Sequence, residues 1–169
     1  MIIIGPVRGE VLDQAILKYK PRNVVEIGTL VGYSAIRMGR LMDSGRMTCL
    51  EVDSKIAEVA RKNISRAGLD GTIEVRVGDA RKLLPELKGH FDMVFLDAEK
   101  DQYLDYLKLA EPKMKTGGVV LADNVKRFAS EMQDYLDYVR NSGAYASTYV
   151  ESESSFDPAG DAVEISVKL

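Results

Sequence analysis

Short β-rich runs alternate with helix-patterned stretches along nearly the whole chain, and this alternation constrains the fold more than any other feature. NVVEI (23–27), RMTCLE (46–51), TIEVRV (72–77), FDMVFL (91–96) and GVVLA (118–122) read as strands. Between and around them the pattern predicts helices. Pro6 opens the first, with Val7, Val11, Leu12, Ala15, Ile16 and Tyr19 on one face. Others are expected over about 32–42, 54–67, Tyr103 to Ala110 and 130–141. AYASTYV (144–150) and AVEISVKL (162–169) have no helix pattern between them, so they should pair as an antiparallel hairpin with a long loop. The expectation is one domain over residues 1–169, a doubly wound α/β fold whose seven-stranded sheet is mostly parallel with a C-terminal antiparallel hairpin. Ligands of such sheets bind beyond the carboxyl ends of the strands, near the point where strand order reverses. The strand ends are therefore the residues to inspect.

Composition narrows the functional classes. A formal net charge of −3 and no Lys/Arg run longer than two give no electrostatic case for a nucleic-acid partner. No apolar stretch approaches the roughly 20 residues of a membrane span. The opening MIIIGPVRGE has no basic leader before its isoleucines, so a signal peptide is not expected and the cytoplasm is the default location. The single cysteine, Cys49, excludes an internal disulfide and reads as a packed small hydrophobe.

After the first strand, EIGTLVGYS (26–34) places Gly28 and Gly32 where the backbone can turn tightly and approach a ligand. An ordinary strand-to-helix turn would look the same, and the spacing lacks the GxGxxG dinucleotide fingerprint, which disfavours a nicotinamide-dependent oxidoreductase. The second strand ends on Glu51, 23 positions after Gly28, where a carboxylate can accept hydrogen bonds from both hydroxyls of a ribose or simply sit in solvent. Asp79, after the third strand, could reach an adenine amino group, cap a following helix, or do both. The fourth strand ends on Asp97 and the fifth on Asp123-Asn124. If these strands are neighbours, about 5 Å apart, two carboxylates and an amide oxygen meet at one rim. That donor set suits a hard divalent cation such as Mg²⁺. Without a cation the two carboxylates would repel, and the plainer alternative is that either aspartate caps a helix. Lys100 stands three positions beyond Asp97 among acids, either as a solvated surface lysine or as a functional one.

VVEIGTLVGYSAIRM, the acid of CLEVD, GHFDMVFLDAEKDQY, GGVVLADN and the closing GDAVEIS together resemble the catechol O-methyltransferase-like family of S-adenosylmethionine (SAM)- and Mg²⁺-dependent O-methyltransferases. The D-x-x-K and DN pair carries most of that specificity. The resemblance implies the class I methyltransferase fold. It implies that Glu26, Gly28, Tyr33 and Ser34 hold the methionine part of SAM, Glu51 the ribose, and Asp79, Ala80 and Arg81 the adenine side. It further implies that Asp97, Asp123 and Asn124 bind the metal, Asp97 also bordering the cofactor, and that Lys100 is the general base for a small catechol-like acceptor. To take a proton Lys100 must be neutral, a form that a nearby Mg²⁺ and the sulfonium favour.

The chain also departs from the family pattern. Ala98-Glu99 stands where the animal enzymes carry His-Trp, and there is no tryptophan. Ser154-Ser155 falls near the acid that faces the second hydroxyl, so Glu151, Glu153 or Asp157 is the expected substitute. The chain begins where many relatives have already placed N-terminal helices that wall the site or mediate dimerisation. A more open site is therefore expected, with Ile2 to Ile4 and Phe156 or Tyr149 giving apolar contact, and a homodimer is among the assemblies the resemblance allows. Competing readings are a methyltransferase of another acceptor, such as tRNA or a hydroxamate, and a non-catalytic SAM-binding module.

Overall fold

Alternate residues of each central strand are apolar towards opposite faces of the sheet, and each set is covered by helices. The computed structural model describes residues 4–154 and 157–169. Its sheet contains β1 (Asn23–Ile27), β2 (Arg46–Glu51), β3 (Ile73–Val77), β4 (Phe91–Leu96), β5 (Met114–Ala122), β6 (Tyr145–Ser154) and β7 (Asp157–Lys168), in the order β3-β2-β1-β4-β5-β7-β6. The first five run parallel, whereas β7 is antiparallel to both β5 and β6. Val24, Met47, Cys49, Met93, Phe95 and Leu121 pack beneath α1 (Gly5–Tyr19), α2 (Tyr33–Gly39) and α3 (Ser54–Arg66). Val25, Ile27, Leu50, Val94, Leu96 and Val120 face α4 (Ala80–Glu86), α5 (Tyr103–Ala110) and α6 (Gln133–Asn141). Cys49 is fully buried in the first of these layers, the packed hydrophobe the sequence suggests. No helix among the described residues is long and apolar enough to cross a membrane.

The architecture is the expected seven-stranded α/β sheet, with local differences that have physical causes. β5 starts at Met114, before the apolar run, because the β4–β5 register shifts between Phe91↔Met114 and Met93↔Val119. The intervening Lys115-Thr116-Gly117 has no strand pattern to read. The hairpin arms extend into SES and DPAG, low in β-propensity, where β6 and β7 pair as far as Ser154↔Asp157, so the long loop expected there is largely strand. α4 is short and contains Pro85, so apolar periodicity says little about it. It is stapled at both ends instead. The Asp79 side chain accepts from Arg81 N at 2.9 Å, and Lys113 Nζ donates to the carbonyls of Leu84, Pro85 and Leu87 that the helix end leaves unpaired.

Strand order reverses between β1 and β4. Two backbone bonds carry the rim onwards, Asp97 N to Ile27 O at 2.9 Å and Asp123 N to Leu96 O at 3.0 Å. Asp97 and Asp123 therefore leave adjacent parallel strands at the same height.

Candidate active site

A cavity of about 490 Å³ opens at this switch point. Of the residues singled out by sequence, Gly28, Glu51, Asp79, Ala80, Arg81, Asp97, Lys100 and Asn124 line it. Tyr33 and Ser34 border a small recess beside it with Ile4, Gly28 and Asp97. Glu26 lies one layer deeper, fully buried, and accepts a hydrogen bond from the Ser34 hydroxyl. Burial pushes its carboxyl up to about 7, although that hydrogen bond pulls the other way. Tyr149 and Glu151 do not line the cavity. Tyr149 is exposed, and Glu151 is ion-paired with Lys126. Ile2, Ile3, Ser155 and Phe156, and the side chains of Glu153, Ser154 and Asp157, lie outside the described residues.

Gly28 answers to a close approach within the protein. Its φ is +91°, and a Cβ at this position would lie 2.3 Å from the Asp97 carbonyl oxygen. The first strand turn and the fourth strand end thus touch, and only glycine fits. On the other side of the cavity, Glu51 is buried and accepts from Leu30 N at 2.9 Å and Asp53 N at 3.0 Å. Each of its oxygens keeps a second lone pair for a ligand. Asp79 is half-exposed as both helix cap and cavity wall, and its hydrogen bonds from Arg81 hold its carboxyl below the usual range.

The opposite wall is built from β4 and β5. Lys100, on a single 3₁₀ turn (Lys100–Gln102), donates from Nζ to Asp97 Oδ1 at 3.0 Å and to Tyr103 Oη at 2.8 Å. The Tyr103 hydroxyl donates in turn to the Asp123 carbonyl at 3.2 Å. Asp123 is fully buried, and the guanidinium of Arg8 is the cation that faces its carboxylate from the first helix. Arg8 Nε lies 2.9 Å from Asp123 Oδ1 as an ion pair. Burial raises the carboxyls of both Asp97 and Asp123, and the Asp97 charge pushes Asp123 further up. Asn124 takes a left-handed backbone, φ +65°, uncommon for a non-glycine residue and characteristic of functional turns. Its Nδ2 donates to Asp161 Oδ2 at 2.8 Å, which leaves Oδ1 as the free end.

These features fit a hard cation. Two carboxylates stand beside each other, Asp97 half-buried against Lys100 and Asp123 fully buried with the Arg8 guanidinium facing it, and an amide oxygen stands next to them at the cavity wall. Among the described residues no group of three His, Cys, Asp or Glu side chains forms a metal-binding cluster. The contacts of Arg8, Tyr103 and Asp161 at the site are not legible in the sequence. Arg8 sits in an amphipathic helix; Tyr103 and Asp161 fall within GHFDMVFLDAEKDQY and GDAVEIS, but the pattern of those segments shows only strand and core positions, not which polar groups these side chains meet.

The family model described as O-methyltransferase matches residues 1–140. The chain belongs to the O-methyltransferase family. It is 38% identical over 174 residues to catechol O-methyltransferase B of Danio rerio, covering 98% of this chain and 65% of that protein. It is 36% identical over 172 residues to catechol O-methyltransferase of Mus musculus, covering 97% and 64%. This O-methyltransferase chain thus spans a little under two thirds of the length of those relatives. An O-methyltransferase from Bacillus cereus, solved in complex with SAH, superimposes with a TM-score of 0.91 at 29% identity over 99% of this chain and 83% of that one.

Proposed function

We propose that this chain transfers the methyl group of SAM to a hydroxyl of a small catechol-like acceptor held by a divalent cation. The observation that carries the reading is the meeting of Asp97, Asp123, Asn124 and Lys100 at two adjacent strand ends, where Asp97, Lys100 and Asn124 line one cavity with Gly28 and Glu51 and Asp123 is buried behind them. The names of the catechol O-methyltransferase relatives and the SAH-bound neighbour support it.

Each residue then has a task that its position suits. Gly28, Tyr33 and Ser34 receive the methionine part of SAM, with Glu26 behind them fixing Ser34. Glu51 accepts hydrogen bonds from the ribose hydroxyls, and Asp79, Ala80 and Arg81 border the adenine. Asp97, Asp123 and Asn124 would hold the cation, whose Lewis acidity lowers the pKa of a catechol hydroxyl and fixes its oxygen. Lys100, in its neutral form, takes the hydroxyl proton on Nζ. The oxygen forms its bond to the methyl carbon as the carbon–sulfur bond breaks, and its electron pair stays on sulfur as SAH. Asp97 and Tyr103 hold Lys100 Nζ at the rim, so the base is positioned before substrate arrives.

The test is incubation with SAM, Mg²⁺ and a panel of catechols, with product read by mass spectrometry for the wild type and for Lys100→Ala. The variant is expected to lose turnover by about 100-fold or more with SAM affinity nearly intact. Equal losses in turnover and SAM affinity would make Lys100 a binding residue. A chain that binds SAM but methylates nothing would be a binding module or the enzyme of another acceptor.

A further inference from the structure

Asn124 can serve a cation only through its amide oxygen; turned over, it would present an NH₂ donor and repel the charge. Behind it stands Asp161, a fully buried residue of β7. Asp161 Oδ2 lies 2.8 Å from the Asn124 amide nitrogen, and an ionised carboxylate only accepts. Oδ1 is committed elsewhere. It accepts from the backbone of Ala162 at 2.8 Å, Arg127 at 3.1 Å and Lys126 at 3.3 Å. Arg8 NH1 stands 3.7 Å from Oδ2 while its Nε pairs with Asp123, so one buried guanidinium faces both carboxylates from behind.

We propose that Asp161, clamped by three backbone N–H groups and faced by Arg8, is the positioning residue that turns the Asn124 amide oxygen toward the cation site. The inference rests on the metal reading given above. It has a distinctive consequence. In Asp161→Asn the oxygen of the new amide must stay at the Oδ1 position, because three N–H groups point at it. The new NH₂ then takes the place of Oδ2 and faces Asn124. Asn124 must answer with its oxygen, and its own NH₂ swings to the cavity. A nearly isosteric change that leaves every proposed ligand in the chain should therefore damage the cation site. Adding Asn124→Asp repairs it, since an aspartate offers oxygen at both ends and the pair keeps its total charge.

The experiment is Mn²⁺ binding to the full chain, read from the free-ion signal in electron paramagnetic resonance, with melting temperature and SAM affinity measured alongside. Asp161→Asn is expected to weaken Mn²⁺ binding by about 10- to 100-fold with SAM affinity unchanged. The Asn124→Asp/Asp161→Asn double variant is expected to return to within about tenfold of the wild type. Wild-type Mn²⁺ affinity in a folded Asp161→Asn would overturn the proposal. So would a folded double variant that stays as weak as the single one. Should the single variant not fold, the double variant alone decides, by the same limit. A wild-type chain that binds no Mn²⁺ overturns the metal reading itself and this inference with it, a result distinct from both.

Discussion

Tyr103 Oη lies 2.8 Å from Lys100 Nζ, so the lysine at the rim is anchored by a buried tyrosine one turn on. The same hydroxyl reaches the Asp123 carbonyl and links the two strand ends. Tyr103→Phe keeps the ring and its edge-to-face contact with Tyr135 but removes both bonds. Turnover is expected to fall roughly tenfold with SAM affinity within about twofold, and stability by about 1 kcal/mol. Unchanged turnover would mean that the tyrosine only packs.

Gly28→Ala is expected to act on the fold and the site together. The added Cβ meets the Asp97 carbonyl at 2.3 Å, and the left-handed backbone disfavours alanine independently. A loss of at least ~2 kcal/mol on chemical denaturation is expected, with SAM binding lost or severely weakened. A variant as stable as the wild type would show that the turn yields readily.

Glu26 supplies a pH test. Its carboxyl is raised from 4.5 to about 7, chiefly by burial. A raised acid is content in its neutral form, so its contribution to stability is complete below about pH 4.5 and is lost as pH rises through 7. Glu26→Gln should therefore match the wild type near pH 4.5 and exceed it at pH 8 by on the order of 3 kcal/mol in the ligand-free chain. Melting curves across that range check it. A variant less stable than the wild type at pH 8 would mean that the bond from Ser34 outweighs the cost of burying the charge.

Asp97 and Asp123 respond to the same logic, with a cation as the remedy. Both are raised by burial, and Asp123 also by Asp97, while Lys100 and Arg8 oppose the shift. The metal-free chain loses their contribution as pH rises through the raised values, because two neighbouring carboxylates must then carry charge. Mg²⁺ should raise the melting temperature more at pH 8 than at pH 5.5. An equal increment at both values, or none at either, would contradict a cation held by this pair.

Much of this was legible in the chain. NVVEI, RMTCLE and FDMVFL are strands to the residue because polar or glycine-containing stretches bound each apolar run. Asp97 and Lys100 announce each other because they are three positions apart at a strand end. Asp123 and Asn124 join them if β4 and β5 are neighbours, and they are. What could not be read is the layer behind. Asn124 and Asp161 are 37 positions apart and meet only because β7 inserts between β5 and β6. Arg8 reaches Asp123 from the first helix, a contact fixed by how α1 seats on the sheet. Gly28 reads as a glycine beside a ligand or in an ordinary turn, and its tightest demand is the Asp97 carbonyl. Local pattern reports what a residue offers, whereas pairing across the sheet decides whom it meets.

The most direct measurement is the rate of methyl transfer from SAM to a catechol, taken on one preparation with Mg²⁺ and with EDTA. Product is expected with Mg²⁺ and none above background with EDTA. Product formed at the same rate in EDTA would contradict a cation held by Asp97, Asp123 and Asn124 as the group that activates the acceptor.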